Sequence, residues 1–266
     1  MSESTEYESD YKSRFTPGDY LNEYFDALSQ TNHNILKFIV DTTQEYQAKI
    51  NDCTVLNFGC GPCIDTVVSL APLCKEIHMS DYLPENLAEI QAWIKSTPGA
   101  FDWKTYIQHS LQIEADSTSG PDASHITEED ITQREALLRN KITQLLAGDA
   151  AQQQPLGNNT SQHYDVISMF FCMEVAASNT DEFHAMLNNV CQLLKPGGLL
   201  IWAVTAHSDA YPVGDKFFRI TVLTEDDIRQ SLQDIIVTDS LKVQSFKVVE
   251  HEHVQDIYML TAIKKS

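Results

Sequence analysis

Short apolar runs alternate with amphipathic stretches along most of the chain. Thr54-Val55-Leu56-Asn57-Phe58 is apolar and β-branched and stops at Gly59, the pattern of a buried strand entering a tight turn. Residues 64–73 predict a helix, Glu76-Ile77-His78-Met79-Ser80 a second strand, and residues 85–94 a second helix. This β-α-β-α order signals a parallel sheet with crossover helices. The alternation resumes at Asp165-Val166-Ile167-Ser168-Met169, followed by a helix over 181–194 that Lys195-Pro196-Gly197-Gly198 ends, and by a nearly continuous apolar strand over 199–204. Upstream, Ile35, Leu36, Phe38 and Ile39 give one amphipathic helix over 35–50. Downstream, Thr224 is the expected N-cap of a helix over 224–233, with Asp226 and Asp227 in its first turn. The last two apolar runs, 241–249 and 256–263, are expected to pair antiparallel at the sheet edge.

Between these halves the pattern weakens. Residues 117–125 are rich in Ser, Asp, Gly and Pro, and Thr127-Glu128-Glu129-Asp130 is a capping box that opens a helix expected to reach about residue 146. A polar loop follows over 152–163. Residues 111–160 therefore read as an inserted loop and helix within one domain spanning 1–266. Residues 1–30 read as an acidic tail leading into an aromatic segment, with Phe15, Tyr20, Tyr24 and Phe25.

Composition narrows the partners. At 266 residues and 42% hydrophobic, the chain is long enough for one substantial core. A formal net charge of -20 repels phosphate backbones and anionic lipid surfaces, so neither nucleic acid nor membrane is an expected partner. The N-terminus lacks a basic start followed by an apolar stretch, and no apolar run approaches the ~20 residues of a bilayer span. A cytoplasmic, monomeric protein is expected. Six cysteines are too sparse for a disulfide scaffold and read as reduced and mostly buried.

Gly59-Cys60-Gly61-Pro62 follows a strand and precedes a helix, where missing side chains let backbone approach a ligand. Asp81 ends the second strand, and a carboxylate there can accept from both hydroxyls of a ribose. Ile64 replaces the third glycine of a dinucleotide fingerprint, so a nucleoside without a pyrophosphate fits better. A rival reading is a thiol-disulfide redox protein using Cys60 and Cys63 of Cys60-Gly61-Pro62-Cys63. It lacks the preceding Trp of such sites and leaves Asp81 unexplained. His251-Glu252-His253 could share one strand face, but no third ligand stands at metal-binding spacing, so no metal is expected.

Several blocks, in order along almost the whole chain, resemble the nicotinamide, phenylethanolamine and indolethylamine N-methyltransferase family. They are Phe15-Thr16-Pro17-Gly18-Asp19-Tyr20-Leu21, Gly59-Cys60-Gly61-Pro62, Ser80-Asp81-Tyr82 with Asn86, Pro98-Gly99-Ala100-Phe101-Asp102-Trp103 and Gln154-Pro155-Leu156-Gly157. Leu193-Leu194-Lys195-Pro196-Gly197-Gly198 resembles the entry to the fifth strand of Rossmann-like methyltransferases. The resemblance implies an α/β, Rossmann-like class I methyltransferase with a mostly parallel seven-stranded sheet, an antiparallel C-terminal edge strand and an N-terminal helical lid. It implies S-adenosylmethionine (SAM) as cofactor, S-adenosylhomocysteine (SAH) as product, and a small amine or N-heterocycle as acceptor.

By the same resemblance Tyr20 and Phe25 close over the cofactor, and Gly59, Gly61 and Cys63 hold its methionine portion. Asp81 binds the ribose, Tyr82 and Asn86 the ribose and adenine region, Asp149 and Ala150 the adenine edge, and Phe170 offers backbone near the sulfonium. Glu174, ending Phe171-Cys172-Met173-Glu174, faces the substrate amine, and Tyr20, Ser208 and Tyr211 complete the acceptor site. There are departures. Asp65, placed by the resemblance among the cofactor-binding residues, stands where relatives carry Tyr, so the cofactor's carboxylate end is expected to be bound differently, and Ile220 stands where nicotinamide-type members carry a second serine. The segment around Ser208 also lacks the second carboxylate of catecholamine-type members. A non-catalytic, SAM-binding interaction protein on the same fold is a further alternative, since fold does not establish activity.

Overall fold

The computed structural model describes residues 7–8, 11–120, 125–157, 163–249 and 254–266; the 251–253 segment read above against metal binding lies outside them. Seven strands form one sheet: β1 (Thr54–Phe58), β2 (Glu76–Asp81), β3 (Ile142–Ala147), β4 (Tyr164–Phe170), β5 (Leu194–Ala206), β6 (Lys242–Lys247) and β7 (Asp256–Ile263). Their order is β3-β2-β1-β4-β5-β7-β6. Parallel pairing runs from β3 to β5. β7 is antiparallel to β5, in a register running from Asp256 opposite Ala206 to Ile263 opposite Leu199, and β6 is antiparallel to β7 at the edge. Chain order reverses between β1 and β4. That is the switch point where open α/β sheets leave a ligand crevice beyond their strand ends.

The central strands are buried on both faces, which is why they read as continuous apolar runs rather than alternations. On one face Val55, Ile77 and Ile201 share a core with Leu36 and Ile39 of helix α2 (Gln30–Glu45), which follows α1 (Pro17–Phe25). Besides the short helices Tyr11–Arg14 and Gln47–Ile50, three more come before β4: α3 (Pro84–Ile94), α4 (Lys104–Ser119) and α5 (Glu128–Lys141). On the other face Leu56, Ile167 and Trp202 pack with Phe183 and Leu187 of α6 (Thr180–Gln192), Phe183 stacking on Trp202 at 5.8 Å. The last helix, α7 (Glu225–Leu232), has Thr224 as N-cap in a full capping box with Asp227, and Thr127 caps α5 in the same way with Asp130.

The structure corrects four local expectations. The helix expected over 64–73 is a single 3-10 turn, Asp65–Val67, followed by turns. Residues 62–71 are buried on every side, so no amphipathic face exists, and the β-branched run Thr66-Val67-Val68 disfavours helix. The helix expected to reach residue 146 stops at Lys141, and Ile142–Ala147 continues as the sheet's edge strand. The loop expected from 117 starts later, because α4 runs on to Ser119. A hairpin, Ala210–Val213 with Lys216–Arg219, was not anticipated; it pairs with Tyr7–Glu8 in a second, three-stranded sheet. That hairpin is tied to α1, where the Tyr24 hydroxyl donates to Pro212 O at 2.9 Å. Among the described residues no helix is long and apolar enough to cross a membrane.

Candidate active site

Beyond the end of β1 the backbone turns sharply, with Gly59 at φ +65° and Gly61 at φ +58°, the left-handed region that costs a side chain strain. At Gly59 the crowding is also steric: a Cβ there would sit 2.4 Å from Cys172 Cβ and 2.7 Å from its Sγ. Gly59→Ala is therefore expected to destabilise the protein by roughly 2–5 kcal/mol, the left-handed penalty plus overpacking. Chemical denaturation of the two proteins measures it.

Asp81, at the end of β2, faces this turn. Its Oδ2 accepts from Gly61 N at 2.7 Å, and its Oδ1 accepts from Leu83 N and from Asn86 Nδ2, both at 2.9 Å. Burial raises the Asp81 carboxyl above the usual range in spite of these donors. Asn86, wholly buried on α3, keeps its Oδ1 without a partner. Behind them Gly148 N donates to Asp81 O at 2.9 Å, and a Cβ on Gly148 would lie 2.1 Å from Ser80 Oγ. Asp149 and Ala150 are thereby drawn to the same wall, the Asp149 carboxylate accepting from Ala151 N and Gln152 Nε2. Tyr82 is 49% exposed, with Lys12 Nζ 5.5 Å over its ring.

The opposite wall follows β4. Phe170 ends the strand, Phe171 turns at φ +53°, and Glu174 sits in the short helix Met173–Ala176 with none of its surface exposed. Glu174 Oε1 accepts from Thr205 N at 2.8 Å and from Thr205 Oγ1 at 2.9 Å, while Oε2 has no partner. Burial pushes this carboxyl up to about 7, against the pull of Thr205. Asp65 shares that condition: burial lifts it to about 7, and its Oδ1 is unpartnered.

The aromatic segment forms the cover. Tyr20 packs on Phe15 and Tyr24 at 5.5 and 5.0 Å, and Phe25 on Trp103 and Tyr106 at 5.1 and 5.2 Å. Trp103, which ends the block Pro98-Gly99-Ala100-Phe101-Asp102-Trp103, thus packs on this segment. Tyr211, on the hairpin, packs tilted against Phe218 at 5.7 Å.

These groups enclose a cavity of about 470 Å³, within the size of small-ligand sites. It is lined by Tyr20, Phe25, Gly59, Gly61, Cys63 and Asp65, by Asp81, Tyr82, Asn86, Asp149 and Ala150, and by Phe170, Glu174 and Tyr211. Ser208 is not among them. It is 2% exposed, its hydroxyl donating to Ala206 O and accepting from Gln255 N, so it ties the end of β5 to the start of β7. Ile220 does line the cavity. Sequence reasoning missed Gly148, Thr205 and Tyr11, the last lining the cavity with its ring 5.5 Å from that of Phe218. Gly148 gave a weak signal as the residue before Asp149, and the other two gave none.

A family model described as the NNMT/PNMT/TEMT family matches residues 3–265. The chain belongs to the NNMT/PNMT/TEMT family. Indolethylamine N-methyltransferase of Mus musculus is 32% identical over 229 residues, covering 85% of this chain and 83% of that one. Nicotinamide N-methyltransferase of Homo sapiens is 27% identical over 247 residues, covering 91% and 88%. Two solved structures share the fold. One is a SAM-dependent methyltransferase from Clostridium acetobutylicum, with a TM-score of 0.54, 13% identity and coverage of 91% and 95%. The other is magnesium protoporphyrin IX methyltransferase from Synechocystis with bound SAM, with a TM-score of 0.53, 14% identity and coverage of 96% and 94%. The sheet is that of a Rossmann-like class I methyltransferase.

The cofactor of the NNMT/PNMT/TEMT family is SAM, and the cavity fits it. Three buried side chains facing the cavity hold an unpartnered oxygen, Asp65 Oδ1, Asn86 Oδ1 and Glu174 Oε2. Among the described residues no lysine, arginine or histidine lines the cavity, which suits a cationic cofactor rather than a phosphorylated one. The redox alternative loses its chemical basis. Cys60 and Cys63 are buried, and burial pushes both thiols well above their ordinary range, so neither is poised as the thiolate such chemistry needs.

Proposed function

We propose that this enzyme transfers the methyl group of SAM to the nitrogen of a small amine whose ammonium rests on Glu174. One observation carries the reading: a fully buried carboxylate with a free oxygen lines the same cavity as the glycine turn and Asp81. Bound SAM supplies an electrophilic methyl group on a sulfonium. The protein's task is alignment and desolvation, where a well-oriented reaction gains roughly 7–11 kcal/mol.

In this reading Asp81 and Asn86 hold the ribose, Tyr82, Asp149 and Ala150 the adenine side, and Gly59, Gly61 and Cys63 the methionine side. Phe170 lies by the sulfur, and Tyr20 and Phe25 exclude water. Glu174, ionised above about pH 7, binds the acceptor's ammonium and takes one of its protons, leaving the nitrogen lone pair free to attack. Thr205 fixes the other carboxylate oxygen, so Oε2 is the one that meets the substrate. The rings of Tyr20 and Tyr211 offer faces to a cation.

An N-heterocycle such as a pyridine needs no base. Against a nicotinamide-type acceptor, Ser208 has its hydroxyl engaged elsewhere and Ile220 is apolar, so among the described residues no serine pair faces the cavity. A methyl-transfer screen over arylalkylamines, indolethylamines, pyridines and thioethers, read by mass spectrometry of the products, tests the proposal. Turnover on at least one primary or secondary amine is expected; methylation of thioethers alone would refute it.

A further inference from the structure

Two of the buried carboxylates around the cavity have work assigned to them, Asp81 at the sugar and Glu174 at the acceptor. Asp65 has none. We propose that Asp65 anchors the α-ammonium group at the methionine end of the cofactor, an inference that rests on SAM being the ligand of this cavity.

Asp65 opens the 3-10 turn that follows the glycine turn, is 6% exposed, and keeps Oδ1 without a hydrogen-bond partner. A carboxylate taken out of water without a counter-charge, one of its oxygens unbonded, costs free energy, so it persists where a cation arrives from outside. Among the described residues the carboxylate has the backbone N–H groups of Asp65 and Thr66 as donors but no cation beside it. The titratable groups that face Asp65 are Cys63 beside it, Tyr20 of α1 and Tyr106 of α4. Burial holds all three in their neutral forms. No side-chain cation lines the cavity among the described residues, so the positive charge must belong to the ligand.

SAM carries two positive centres. The sulfonium has to face the acceptor nitrogen beside Glu174, which leaves the α-ammonium. Gly59, Gly61, Cys63 and Asp65 line the cavity in succession, so a ligand whose sugar sits on Asp81 can lay its amino-acid tail along this turn and end at Asp65. The path is open, because even a Cβ built on Gly61 would meet nothing nearer than Cys63 Sγ at 4.0 Å. The cofactor's carboxylate would then find a neutral donor, the Tyr20 hydroxyl, rather than a cationic side chain.

The test is calorimetry of Asp65→Asn and the parent protein with two ligands: SAH, and the SAH analogue in which hydrogen replaces the α-amino group. The Asn variant should bind SAH at least tenfold more weakly and the deaminated analogue within twofold of the parent. Its melting temperature without ligand should be equal or higher, since a buried unpaired charge has gone. Equal SAH affinity in the two proteins would overturn the proposal, as would an equal loss for both ligands. A variant that melts several degrees lower would assign the carboxylate to the fold instead. If the parent protein binds neither ligand, the cofactor assignment itself fails, and this inference falls with it.

Discussion

Asp81→Ala is expected to weaken SAH binding on the order of 10²-fold or more in calorimetry. Two losses combine. Hydrogen bonds from a ribose diol to a charged acceptor are worth about 1.5–3 kcal/mol each, and about 1.4 kcal/mol is a factor of ten. The same carboxylate also accepts from Gly61 N, Leu83 N and Asn86 Nδ2, so removing it releases the glycine turn and leaves the wholly buried Asn86 amide without its one acceptor. Ala at this position deletes both the ligand contact and the scaffold that positions it. An affinity within threefold of the parent's would mean that Asp81 braces the turn and does not touch a ligand.

Glu174→Gln separates acceptor chemistry from cofactor binding. The variant keeps an oxygen for Thr205 but can neither hold an ammonium nor take a proton. Its kcat/KM on amines that are protonated at pH 7 should fall roughly 10²–10⁴-fold, the usual worth of a positioned base, while SAH affinity stays within twofold. The pH profile carries a second signature. Burial raises the Glu174 carboxyl from the ordinary 4.5 to about 7, so the parent's kcat/KM should climb through pH 7 as the group ionises, and the variant should lose that limb.

The sign for stability is opposite. With the folded pKa above the unfolded one, the group's favourable contribution is present below about pH 4.5 and is lost as pH rises through about 7. Above pH 7 the ligand-free parent therefore carries a buried charge that the variant lacks. The glutamine protein should be more stable at pH 8, on the order of 3 kcal/mol. Retained turnover on ammonium acceptors would dismiss Glu174 from the chemistry.

Much of the cofactor side was legible because it is built from local signals. β1 and β2 are short runs buried on both faces, the glycines mark a turn that only left-handed backbone makes, and Asp81 ends β2 where the parallel register requires it. The antiparallel β6–β7 pair and the Thr224 cap were equally local. β3 was not. Ile142 and Leu145 continue the helical spacing of Leu138, and the strand is half exposed because it pairs on one side only, so a helix and an edge strand look alike there. Residues 64–73 failed for the reverse reason, since burial on all sides erases the periodicity that distinguishes helix from coil.

The acceptor side depends on long-range packing. Glu174 came from the family resemblance, but its partner Thr205 lies 31 residues away on β5. Ser208 matched a pattern position, yet the Gln255 amide, 47 residues on, claims its hydroxyl. Asp65 stood out as a departure from the pattern, and only its burial with one oxygen unpartnered turns that departure into chemistry.

A crystal structure of the protein with SAH tests the account most directly. The ribose hydroxyls should lie within hydrogen-bond distance of the Asp81 carboxylate, the amino-acid end along the turn from Gly59 to Asp65, and the sulfur open toward Glu174 across an unfilled acceptor space. A nucleoside bound away from Asp81, or a sulfur turned to a wall that Glu174 does not share, would contradict it.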